Sequence, residues 1–201
     1  MTFSEALAEQ RWDDHRYYHH NLINQSLHFM SALTFLACYA VAWTEPTLAV
    51  LLAWMVAMPS RQIGHFFFEP KSYDAINETT HDHKEDIKVG YNLRRKVLLH
   101  IVWAASPLLV LADPSFGGWL TPADSVGTLV DNIARIWMAV AAAALVGRGV
   151  LLSVTRDVQT GVVWVTKILT DPFHDVKLYH RAPLRLLRGE PANPAAFREP
   201  A

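Results

Sequence analysis

The chain has 201 residues, 51% of them hydrophobic, with 7 Trp and a mean hydropathy of +0.12. That is too apolar for an ordinary soluble domain and, at 18% charged residues, too polar for a bare set of membrane spans. A net charge of -1 carries no nucleic-acid footprint, and the single Cys38 excludes an intramolecular disulfide.

Along the chain, Met1 to Gln25 is polar and acid-bearing, which argues against a cleavable signal peptide. Four apolar stretches follow: Leu27 to Trp43, Thr47 to Phe68, Val97 to Ala112 and Ile133 to Val154. A bilayer core of ~30 Å needs about 20 helical residues, so the first and third are short and are expected to tilt or insert thinly. Lipid demands internally satisfied backbone groups, which selects helices. The expected fold is therefore all-α, an integral membrane bundle of about four transmembrane helices. Residues 1–188 form one embedded domain, and the Pro/Ala-rich 189–201 segment is a loosely ordered tail.

Lys and Arg set the orientation. They crowd the segment between the second and third stretches and both terminal segments, and they are missing from the turn Thr44–Pro46. Both termini then face the cytoplasm, in an inner membrane if the cell is bacterial. On that topology all 10 histidines fall on one side, as a His-rich cytoplasmic cap.

Four motifs carry the chemistry. In HRYYHHNLINQSLH, His20, Asn24 and His28 repeat at steps of four and share a helix face. In RQIGHFFFE, Arg61, His65 and Glu69 do the same, and Gly64 admits a close neighbour. In THDHKED, His81 and His83 lie on one side of an extended segment, a spacing suited to transition-metal ligation. In ILTDPFHDVKLYH, His174 stands between Asp171 and Asp175, a ligand with orienting carboxylates. His20, His28, His65, His81, His83 and His174 are thus the candidate metal ligands. Imidazole with some carboxylate suits Fe, Zn, Cu or Ni, and the near-absence of cysteine disfavours a structural zinc site of thiolate type.

His20-x3-Asn24-x3-His28 before the first stretch, with Ile63-Gly64-His65-Phe66-Phe67-Phe68-Glu69 ending the second, resembles the membrane 2-hydroxy-fatty-acid dioxygenases. The likeness covers roughly Tyr17 to Leu109. It implies Fe(II), dioxygen and the loss of one carbon from a 2-hydroxy acid. It also implies that His20, His28 and His65 match the motif histidines, Asn24 the asparagine and Glu69 the glutamate. Arg61 or a basic residue of the middle segment would neutralise the substrate carboxylate, so Arg61, Glu69 and Asn24 are the candidate catalytic residues.

The chain departs from that pattern after Glu69, and residues 161–189 have no counterpart in it. The expected partners are a lipid or fatty-acid substrate and dioxygen, with no nucleic acid. One iron is favoured over two. A di-iron hydroxylase or desaturase is the alternative, since His15, His19 and His20 have the H-x3-H-H form of those enzymes' boxes. A non-enzymatic metal- or haem-binding membrane protein is the other.

Overall fold

The structure is a computed structural model describing residues 1–74 and 77–193. Helix α1 (Phe3–Tyr18) opens under a capping box, in which Thr2 accepts from the Glu5 amide and Glu5 accepts from the Thr2 amide. It stops at His19. Helix α2 (Leu22–Val41) begins afresh at Asn21, whose side chain accepts from the Ile23 and Asn24 amides. Helix α3 (Pro46–Leu52) passes through a π-helical turn at Ala53–Ala57 into α4 (Met58–Phe67). That wider turn falls immediately before Pro59, which has no N–H to give to the preceding turn.

Helix α5 (His81–Ile87) is capped by Thr80. Helices α6 (Leu93–Ala105) and α7 (Pro107–Ala112) run on from one another through Ser106. The longest helix, α8 (Val126–Thr155), is followed by α9 (Val158–Tyr179) and the short α10 (Ala182–Leu187). The chain is all-helical, with no strand among the described residues.

Helix α2 sits at the centre, packed against α9, α4 and α10, while α9 also packs against α8 and α1. The α8–α9 crossing is close because a Cβ on Gly161 would overlap Ser153 and lie 2.5 Å from the Gly149 carbonyl. At the end of the bundle away from His28, Trp54 stacks on Trp103 at 5.4 Å and donates through Nε1 to the Trp137 carbonyl at 3.2 Å. This aromatic cluster closes the core between the π-helical turn, α6 and α8.

Of the four expected spans, two stretches are long and apolar enough to cross a membrane by length and composition: Leu93–Ala112 (α6–α7) and Val126–Thr155 (α8). The second expected stretch is divided by the π-helical turn. The expected loose tail lies, from residue 194 on, outside the described residues. Its described start is held, because Ala192 accepts from the Leu22 amide at 2.7 Å and Asn193 from the Asn21 side chain at 2.5 Å.

Candidate metal centre

The turn between α1 and α2 is fixed from below. Asn24 Nδ2 donates to the Tyr18 carbonyl at 2.9 Å and Gln25 Nε2 to the His19 carbonyl at 2.8 Å. These bonds turn the His19 ring inward, toward the first turns of α2 and the last turn of α4. There it meets His28 at 4.0 Å between ring centroids and His65 at 5.5 Å, with His28 and His65 4.8 Å apart. All three are buried, and one nitrogen from each lies within 4.8 Å of the others. A buried His19–His28–His65 group can hold a metal ion.

The chemistry of the donor set supports that fit. His19 Nε2 and both nitrogens of His28 are buried without a hydrogen-bond partner, an expensive arrangement unless something binds there. Each ring is backed by a different group. His19 Nδ1 lies 2.9 Å from Tyr179 Oη, His28 Nδ1 3.8 Å from Asp175 Oδ2, and His65 Nδ1 pairs with Glu69 Oε1. The hydrogen-bonded partners of His19 and His65 fix the tautomer of a ligating histidine and raise its basicity, while Asp175 stands beside His28 as a nearby charge. Burial, reinforced by the neighbouring His28 ring, holds His19 well below the usual histidine range, so its imidazole is neutral. With His19 Nδ1 donating to Tyr179 Oη, the phenol donates on to His15 Nδ1 at 3.2 Å, and His19 Nε2 keeps the lone pair.

Behind the triad, three cations meet three carboxylates. Lys167 bridges Asp14 and Asp171, the latter at 2.8 Å, and Arg11 Nε reaches Asp171 at 3.2 Å. Arg61 pairs with Asp175 at 3.1 Å and stands 3.8 Å from Asp171. Burial alone would raise the Asp14 pKa, but the Lys167 ammonium overrides it and holds the carboxyl well below the usual range. This belt ties α1 and α4 to α9 and keeps Asp175 beside His28.

In comparisons with known proteins, no family model, no curated protein and no solved structure matches this chain.

The sequence-predicted residues separate on this geometry. His28 and His65 stand together, and their third partner is His19 rather than His20. The His20–Asn24–His28 spacing presupposes one continuous helix, but the chain leaves helical geometry at His19 and re-enters at Leu22. His20, with its pKa lowered to about 4 chiefly by burial, has Asp74 and Lys84 as its charged neighbours. His81 and His83 occupy the first turn of α5, not an extended segment, and lie outside the triad. Two residues apart on a helix, they point to different sides. His174 lines a small cleft with Arg11 and Asp14 behind His19. Glu69 backs His65, Asn24 secures the α1–α2 turn, and Arg61 is engaged by Asp175 and Asp171. Neither Tyr179 nor His19 carries the weight in the sequence that it carries here. The available signal was Asn21, a helix cap that breaks the periodicity before α2.

Tyr179→Phe removes only the hydroxyl that orients His19. Metal affinity, read by titration against a competing chelator, is expected to fall ~10–100-fold with the fold retained. Unchanged affinity would show that His19 is oriented by other contacts.

Proposed function

We propose that the chain is a membrane-embedded, iron-dependent oxygenase acting on a lipid-derived acid, with oxidative one-carbon shortening of 2-hydroxy fatty acids as its reaction. The buried His19–His28–His65 group, backed by Tyr179, Asp175 and Glu69, carries this reading. The likeness of the His65-to-Glu69 run to the membrane dioxygenases supplies the choice of iron over other metals that imidazole suits.

The membrane placement is supported by where the apolar surface lies. Only 17% of the Leu93–Ala112 window and 28% of the α8 window are buried, and that large exposed share supports a membrane setting over a water-soluble core. Leu98, Ile101, Leu108 and Leu111 face outward, an apolar surface that lipid would cover. With α2 and α3–α4 as further spans, the triad sits in a His-bearing cap at the cytoplasmic end, where Lys and Arg accumulate.

Iron bound by the three imidazoles supplies the redox chemistry. The rest falls on the chain: burial excludes water, Glu69 and Tyr179 hold His65 and His19 in one tautomer, and Asn24 keeps the His19 turn closed. A 2-hydroxy acid and dioxygen balance against the acid one carbon shorter, carbon dioxide and water, so no further reductant is needed.

Anaerobic reconstitution with Fe(II) should give about one iron per chain, the stoichiometry of a single three-imidazole group. The loaded protein should consume dioxygen only with 2-hydroxyhexadecanoate present. Two irons per chain would favour the di-iron alternative, and tightly bound zinc without oxygen uptake would overturn the oxygenase reading.

A further inference from the structure

A cavity of about 560 Å³ opens beside the triad, within the ~300–1,000 Å³ range of small-molecule sites. Its two ends differ in chemistry. Near the triad it is lined by His19 and His65, by Lys88 and Lys96, and by the Arg61, Lys167, Asp14 and Asp171 groups of the belt. From there it runs between helices past Met58, Leu99 and Leu145 to Ala49, Val50 and Trp54. From His65 back to Ala49 the helical path is roughly 24 Å at 1.5 Å per residue, long enough for an extended acyl chain.

At the polar end one cation is left without a close carboxylate of its own. Arg61 already faces Asp175 and Asp171. Lys88 has Glu85 at 3.5 Å and its ammonium over the Tyr18 ring at 3.5 Å. Lys96 has less. It is 9% exposed, its nearest carboxylate is Glu69 at 3.9 Å, beyond hydrogen-bond reach, and that oxygen is the one paired with His65. A buried ammonium without a hydrogen-bonded counter-ion is costly, and an incoming carboxylate would remove that cost. The placement is specific, because the Glu69 oxygen that Lys96 approaches also holds a triad histidine. An anion on Lys96 therefore lies next to the metal group.

We propose that this cavity binds a single-chain carboxylic acid, with Lys96 Nζ holding the carboxylate beside His65 and the tail running toward Val50 and Trp54. This rests on the oxygenase reading only for the identity of the acid. It moves head-group recognition from Arg61, which is engaged by carboxylates, to Lys96.

The test is equilibrium dialysis of the purified full chain in detergent, with labelled hexadecanoate and hexadecanol. Wild-type protein should prefer the acid, with affinity rising from octanoate to hexadecanoate as more tail is buried. Lys96→Met should weaken hexadecanoate binding at least ~10-fold and leave hexadecanol within about twofold. Lys96→Arg should keep most of the acid affinity, and iron content and melting temperature should hold in both variants. Equal wild-type affinity for acid and alcohol, or a Lys96→Met variant that weakens both alike or neither, overturns the proposal. The two readings fail separately: Lys96-dependent acid binding with no iron-dependent oxygen uptake sinks the oxygenase alone. Oxygen uptake with 2-hydroxyhexadecanoate that Lys96→Met leaves unaltered sinks this inference alone.

Discussion

If the chain is the iron-dependent oxygenase proposed above, His19→Ala loses bound iron and substrate-dependent oxygen uptake together, as do His28→Ala and His65→Ala. His20→Ala, one residue from the first of these, should retain both. Removing a ligand is worth more than the ~10–100-fold in metal affinity that removal of an orienting partner costs. Each alanine variant should therefore be essentially metal-free after desalting, as read by elemental analysis. In the metal-free protein the stability loss in His19→Ala and His28→Ala should be smaller than the lost packing alone would give. Buried ring nitrogens without hydrogen-bond partners are a burden there, and their removal offsets part of the lost packing. The His19/His20 contrast is the sharp part. The repeat at steps of four selects His20, whereas the ring geometry selects His19. Iron lost in His20→Ala and kept in His19→Ala would reverse the assignment.

His28 and His65 were legible in the sequence because each lies inside one helix, in phase with Asn24 of α2 and with Arg61 of α4. His19 was not, because the signal that places it is a helix break. Asn21 satisfies two amides of α2, and that cap ends any phase relation between the residues before it and those after. The same error shaped the H-x-H reading. Thr80, with Asp82 in the following turn, is a helix start, and α5 forms where an extended segment was expected.

Long-range charge partners were harder still. Arg61 and His65 share a face of α4, and Glu69 just past its end meets His65, yet nothing in their spacing says that Arg61 meets Asp175 and Asp171 of α9 while Glu69 meets Lys88 and Lys96. Those pairings belong to helix packing, which local patterns do not encode. The helical class was readable because the apolar runs are longer than a strand and come without period-two alternation.

Gly64→Ala should be among the most damaging single-methyl changes in the chain. In most helices this replacement gains ~1 kcal/mol from backbone entropy and helix propensity. Here the added Cβ would overlap Asn24 Oδ1, stand 3.3 Å from Asn24 Cγ and crowd the His28 ring at 3.4 Å. The Asn24 amide cannot swing away cheaply, because it is fully buried and its Nδ2 holds the Tyr18 carbonyl that sets up the His19 turn. Relief by separating α2 from α4 would pull His28 from His65, and relief by rotating Asn24 would release His19. Either route disturbs the triad. The overpacking term, typically ~1–3 kcal/mol, outweighs the helix gain. Gly64→Ala should thus lower the melting temperature and weaken metal binding by the triad even though none of its three histidines has changed. Adding Asn24→Ala should recover much of the stability by removing the overlap, but not the metal binding, because the hold on Tyr18 is gone as well. The coupling between the two sites, read from the four melting curves of the double-mutant cycle, should be well above the few tenths of a kcal/mol expected of independent positions. A Gly64→Ala protein as stable as wild type and with undiminished metal binding would mean that α2 and α4 do not approach this closely at Gly64.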